Sequence, residues 1–151
     1  MHIFCKNEQK YPIITENTRK GSTGFNPVLP IKIRSDIEEK FPEEGALFVF
    51  DSGSHISIIS WIEAEEMGLK LDGDTWFPLE IQGVGGIIPA LRRAVQIKLY
   101  DFPPIIIPLH VSKNIPKGWR ILGLEKITEV FSFAIHNNHT YIFLREDIEE
   151  I

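Results

Sequence analysis

The sequence predicts an all-β fold carrying one or two short helices, and three observations support it. Apolar residues recur at every second position in several short runs, as in Leu29 to Ile33 and Val95 to Leu99, which is the period that sets one face of a strand against a core. Glycine, proline and asparagine punctuate those runs at turn spacing, and β-branched and aromatic residues fill them. Helical patterning is confined to Trp61 to Met67 and Glu125 to Phe131, each too short to form a layer of its own.

At 151 residues, 43% hydrophobic and 25% charged, the chain suits one globular domain with a single core. Its formal net charge of -5 argues against nucleic acid or an anionic membrane as partner, since both select clustered Lys and Arg. The pair Arg92-Arg93 is too short to change that. No apolar run approaches the roughly 20 residues that cross a bilayer, and the polar start is not a secretory signal, so the expected location is the cytoplasm. The single cysteine, Cys5, forms no internal disulfide and suits a reducing compartment.

Residues 1–27 read as an extended arm, with two short apolar patches, Ile3-Phe4 and Tyr11 to Ile14, in polar surroundings. Val28 to Arg34 reads as an edge strand, because Pro30 has no N–H to give a ladder. Ser35 to Gly45 is an acidic surface loop or a single helical turn. Leu47 to Phe50 is a buried strand that stops at Asp51-Ser52-Gly53, and the chain resumes as a second buried strand at Ile56 to Ile59, which puts the intervening turn deep in the protein. Ser60 to Glu63 has the form of a capping box, and Gly68 closes the helix. Two apolar segments then flank Gly83, Gly85 and Gly86, which is a β-hairpin signature. No Gly-Lys-Ser/Thr follows, so this is not a phosphate loop.

Val95 to Leu99 and Ile105 to Val111 are further strands, Pro108 marking an edge or bulge in the second. Asn114 to Gly118 is a turn, and Arg120 to Leu124 is an apolar strand running into glycine ahead of the second helix. Phe131 to Ile135 and Thr140 to Leu144 form a last hairpin around Asn137-Asn138, and residues 145–151 are an acidic, frayed tail.

Asp51 is the residue that needs a reason. A carboxylate between buried strands is costly unless hydrogen-bonded, and the local explanation is an Asx-turn in which it accepts the amides of Gly53 and Ser54. Asp36, Asp72, Asp74, Asp101 and Asp147 lie in polar or turn-rich contexts and read as solvated surface. His136 and His139 flank a turn without the carboxylate or thiol company of a metal centre, so neither metal nor cofactor is expected. Ser52, Ser54 or Ser57 with His55 lacks the Gly-x-Ser-x-Gly elbow of a serine hydrolase, and His55 reads as a loop hydrogen-bonder. Trp61, Trp76 and Trp119 read as core or rim packing.

The order of segments carries more than any one of them. An apolar strand into Asp51-Ser52-Gly53, then a glycine-tipped hairpin, then Ile121-Leu122-Gly123 before a short helix resembles the retropepsin-type aspartic proteases of retroviruses, retrotransposons and their cellular relatives. The resemblance covers residues 28–144. It implies an acid-protease β-barrel in which Asp51, with Ser52 and Gly53, forms the catalytic turn. The hairpin tip, Gln82, Gly83, Val84, Gly85, Gly86 and Ile87, would be the flap over a bound peptide, and Ile121, Leu122 and Gly123 would pack beside the catalytic loop. Ser54 stands where Ala is usual, Leu124-Glu125 departs from several relatives, and the arm before Val28 has no counterpart in the resemblance.

Hydrolysis of a peptide by carboxylates needs two of them, one ionised to take a proton from water and one protonated to hydrogen-bond the scissile carbonyl. The chain offers one such turn, so the expected unit is a twofold homodimer with Asp51 of each copy at the axis. Ser52 would join the paired loops through its hydroxyl, and Gly53 would let the backbones approach. The resulting expectation is an aspartic endopeptidase acting on peptide or protein substrates. Two other readings stand beside it: a catalytically silent retropepsin-like module that dimerises or binds peptide, and a small β-barrel binding domain whose Asp-Ser-Gly is only a turn.

Overall fold

Alternating apolar residues produce a mostly β structure, seen in a computed structural model that describes residues 3–5, 13–16, 19–21, 24–83, 85–136 and 139–150, with side chains for 27–83, 85–134 and 140–146. Four short strands come first, β1 (Ile3–Cys5), β2 (Ile13–Glu16), β3 (Arg19–Gly21) and β4 (Gly24–Asn26). The body follows with β5 (Val28–Ile33), β6 (Ala46–Phe50), β7 (Ser57–Ser60), helix α1 (Trp61–Glu66), β8 (Phe77–Gly83), β9 (Gly86–Leu99), β10 (Ile105–Ser112) and β11 (Ile121–Leu122). Helix α2 (Ile127–Val130), β12 (Phe131–His136), β13 (His139–Leu144), a 3-10 turn at Arg145–Asp147 and β14 (Ile148–Glu150) complete the order.

The main sheet is mixed, in the order β10-β7-β11-β6-β5-β9-β8, and β10 also pairs with β9. The sheet therefore curls into a barrel-like, unevenly closed ring, with β8 left outside as the outer strand of a hairpin. Inward positions of these strands, among them Leu29, Phe48, Ile59, Ile97, Leu109 and Leu122, are almost fully buried. Each such side chain contributes about 1.5–3 kcal/mol relative to an exposed one. Phe131 and Phe133 extend the core toward β6, where Phe133 stacks on Phe50 at 4.3 Å between ring centroids.

Several expectations are corrected. β5 is not an edge strand, since it lies between β6 and β9. Pro30 is tolerated because of where its nitrogen points. The Phe50 amide bonds to the Pro27 carbonyl and the Arg34 amide to the Gln96 carbonyl, so even-numbered residues of β5 direct their nitrogens toward β9. The ladder with β9 runs only from Ile33 to Ile31, and Pro30 sits where it ends. Pro108 likewise lies on no edge, since β10 pairs with both β9 and β7; it sits opposite Ala94 within the β9 ladder and one residue before the β7 ladder begins at Leu109.

The two strands expected around Arg92-Arg93 are one 14-residue strand, β9. The charged pair interrupts the apolar alternation but not the strand, because each arginine finds a carboxylate. The capping box of α1 is present, with the Glu63 amide donating to Ser60 Oγ at 3.1 Å, and Gly68 follows at φ +81°. Helix α2 is shorter than expected and begins at Ile127, after Lys126 at φ +68°. At the termini, β2 adds to β13 and β14 pairs with β1, so part of the arm joins the last hairpin and the acidic tail includes a strand rather than fraying. The Asn137-Asn138 turn and Val84 lie outside the described residues. Among the described residues, no helix is long and apolar enough to cross a membrane.

Candidate active site

Asp51 follows directly on the last residue of β6. Its amide donates to the Leu122 carbonyl at 3.0 Å, its Oδ1 accepts the Gly53 amide at 2.8 Å, and its carbonyl accepts the Ser54 amide at 3.0 Å. The Asx-turn to Gly53 is thus present, while Ser54 bonds to the backbone oxygen instead of the carboxylate. Asp51, Ser52 and Gly53 are exposed, which corrects the expectation of a deeply placed turn: β6 is buried, but it delivers the turn to the surface. Oδ2 of Asp51 accepts no hydrogen bond among the described residues, so one oxygen of the carboxylate is open to whatever approaches.

The segment from Ile121 to Glu125 laces along the turn and the chain after it. Gly123 donates to the buried Ser57 Oγ at 3.0 Å, Leu124 to the Ser54 carbonyl at 2.9 Å and Glu125 to the His55 carbonyl at 2.8 Å. Ser54 Oγ closes the loop from within by donating to the Ile56 carbonyl at 2.8 Å. The structure therefore brings Ile121, Leu122 and Gly123 beside the Asp51 turn, Leu122 through a backbone bond to Asp51 and Gly123 through the Ser57 hydroxyl.

Strand alternation turns Phe48 and Phe50 inward and leaves Leu47, Val49 and Asp51 on the other face. Leu47 is 55% exposed and Trp119, two residues before β11, is 56% exposed. Of the three tryptophans only Trp76 is a core residue. Trp119 is held in place from behind: Arg120 Nε donates to the Leu47 carbonyl at 2.7 Å, the Arg120 guanidinium pairs with buried Glu63 of α1, and Glu63 Oε2 also accepts the Gly118 amide at 3.0 Å. A single tryptophan in a turn-rich stretch carries no sequence signal that separates packing from display.

The hairpin β8/β9 closes on the pair Gly83 and Gly86, with Gly86 at φ +109°. A Cβ placed at Gly83, Gly85 or Gly86 would meet nothing within 4 Å, and Gln82 and Ile87 are exposed. The tip therefore stands open. Among the described residues no hydrogen bond joins it to the Asp51 turn.

Charged groups cluster at the hairpin base instead. Arg92 Nη2 donates to Glu125 Oε1 at 2.8 Å, while Glu125 Oε2 is buried without a hydrogen bond and lies 3.8 Å from His55 Nε2. Behind them His110 is 1% exposed, its Nδ1 3.1 Å from the Ser57 carbonyl. Burial pushes its imidazole below the ordinary value, and the Ser57 carbonyl only partly offsets that. On the other face of β9, Asp36 receives both Arg93 nitrogens at 2.8 and 2.9 Å and the Lys70 amide at 2.8 Å. Burial works against its charge, but the Arg93 and Lys70 hydrogen bonds prevail and hold the carboxyl below its usual value. Asp36 is thus not the solvated residue expected. Asp72, Asp74 and Asp101 are exposed, and the side chain of Asp147 lies outside the described residues.

Two cavities lie away from the turn, one of about 380 Å³ beneath the Ser35–Gly45 loop and one of about 260 Å³ between Trp61, Leu79, Leu91 and Val111. Among the described residues no three His, Cys, Asp or Glu side chains are grouped to hold a metal, and the side chains of His136 and His139 fall outside them. No protein-family model matches the chain, and no curated protein matches it significantly.

Proposed function

We propose that the protein is a retropepsin-like aspartic endopeptidase that works as a twofold homodimer. The observation that supports this most is the state of Asp51, an exposed carboxylate at a strand end, its backbone fixed by Leu122, one oxygen bonded to Gly53 and the other free. In a dimer two such carboxylates would face each other across the axis. Two carboxylates brought into contact share a proton, so one would stay ionised to draw a proton from water while its mate hydrogen-bonds the scissile carbonyl. Exposure of Ser52 and Gly53 leaves their atoms free to meet the second copy. Leu47, Val49 and Trp119 would give the peptide an apolar wall, and the open hairpin tip would close over it.

The test is digestion of a peptide library by wild-type protein and by Asp51→Asn, with sedimentation of both. Cleavage that is lost in Asp51→Asn and whose rate per chain falls on dilution is the expected result. A strictly monomeric protein at full specific activity would rule the mechanism out. Self-association without cleavage would leave the silent dimerisation or peptide-binding module as the function.

A further inference from the structure

Successive residues of a strand point to opposite faces of a sheet, and β9 uses this to hold two carboxylates with adjacent arginines. Arg93 grips Asp36 with two nitrogens and lies over the Trp76 ring, 4.7 Å from its centroid. Arg92 reaches the other way, to Glu125. These two contacts have different mechanical positions. β9 pairs with β8 from Gly86 to Arg92 and with β10 from Leu91 to Ile97, so Arg92 sits where the projecting hairpin joins the ring. Glu125 in turn is bonded through its amide to His55, one residue after the Ser54 carbonyl that accepts Leu124.

We propose that Arg92 and Glu125 are positioning residues that couple the β8/β9 hairpin to the Asp51 turn. The inference rests on reading that hairpin as the flap over a bound peptide. Displacement of the hairpin base moves the Arg92 guanidinium, and Glu125 transmits it through the amides of Leu124 and Glu125 to the chain that follows Asp51. Arg92 is the one hydrogen-bond donor to the Glu125 carboxylate among the described residues, so losing it leaves a largely buried charge with no hydrogen bond and only His55, 3.8 Å away, beside it. Arg93 with Asp36 is a built-in control, of the same chemistry on the same strand, but it holds the Asp36 loop and the Trp76 ring ahead of β8 and makes no bond to the chain after Asp51.

The experiment compares Arg92→Met, Glu125→Gln, their double variant and Arg93→Met by kcat, KM, melting temperature and amide hydrogen exchange. Arg92→Met and Glu125→Gln should each raise KM by about five-fold or more and speed exchange both in the hairpin and at the amides of Leu124 and Glu125, with the double variant no worse than either. Arg93→Met should lower the melting temperature and leave KM unchanged. An unchanged KM in Arg92→Met, faster exchange confined to the hairpin, or equal KM effects from Arg92→Met and Arg93→Met would overturn the coupling. Exchange is read whether or not a peptide is cut. Wild-type protein without cleavage therefore removes the protease reading, whereas unchanged exchange at Leu124 and Glu125 in Arg92→Met removes the coupling.

Discussion

Gly123 lies so close to Ile56 that any Cβ at Gly123 would overlap the Ile56 carbonyl. That approach lets the Gly123 amide reach Ser57 Oγ and the following two amides reach Ser54 and His55. A methyl group there forces two backbones apart, and neither can yield as a flexible side chain would. Gly123→Ala should cost about 1–3 kcal/mol or more in urea unfolding, the scale of overpacking in a closed core. Wild-type stability in that variant would mean that the two segments are not packed as described.

Stability should fall with acid in two stages of defined sign. His110 faces the Ser57 carbonyl, with Arg92, Glu125 and His55 as the charged or titratable groups around it. Its pKa is lowered in the folded state, so the unfolded chain binds the extra proton first. Stability is then full above the ordinary value of 6.5 and is lost as pH falls through the lowered one. Asp36 follows at more acid pH, its contribution present above 3.8 and lost as pH falls through its own lowered value. Urea midpoints from about pH 7.5 to 5.5 should decline in wild type and decline less in His110→Gln. Equal slopes would show that His110 is not the group responsible.

Much of this arrangement was readable from local chemistry, and the exceptions share a cause. The Ser60 cap, the glycine-tipped hairpin and the Phe131 to Leu144 strand pair follow from rules that act over a few residues. Pro30 misled because its effect depends on which neighbour its nitrogen faces, and that is set by register with β6 and β9. Arg92-Arg93 broke the alternation on paper, yet Glu125 and Asp36 satisfy the pair from 33 and 57 residues away. Distance along the chain also hid the exposure of Asp51, since flanking buried strands do not say at which end of the ring their connecting turn emerges. Ile121-Leu122-Gly123 was legible as a segment, but its bonds to Asp51 and Ser57 are tertiary.

Trp119 is the side chain whose display asks for an occupant. A Trp side chain buries about 150–250 Å² when fully covered, and here more than half of the residue is exposed, next to the Arg120 that bonds the Leu47 carbonyl. Trp119→Ala should therefore change the melting temperature by no more than about 2 °C. On peptides with a large apolar residue near the cleaved bond it should raise KM by about five-fold or more. A large thermal shift with unchanged KM would make Trp119 a packing residue.

Gly86 separates the hairpin as a moving cover from the hairpin as plain structure. At φ +109° it occupies backbone that side chains rarely adopt, although a Cβ there would meet no atom within 4 Å. The penalty of a substitution is therefore conformational, about 1–3 kcal/mol for a β-branched residue, and it falls on the tip rather than on the core. Gly83, whose φ is not in that region and whose surroundings are equally open, supplies the comparison. On the proposed flap role, Gly86→Val should lower peptide turnover by about ten-fold or more with little change in melting temperature, because a tip that closes over peptide would need the strained turn while the ring would not. Gly83→Val should lower turnover less. If Gly86→Val instead loses turnover and thermal stability in equal measure, the hairpin is a structural strand pair and its role as a flap falls.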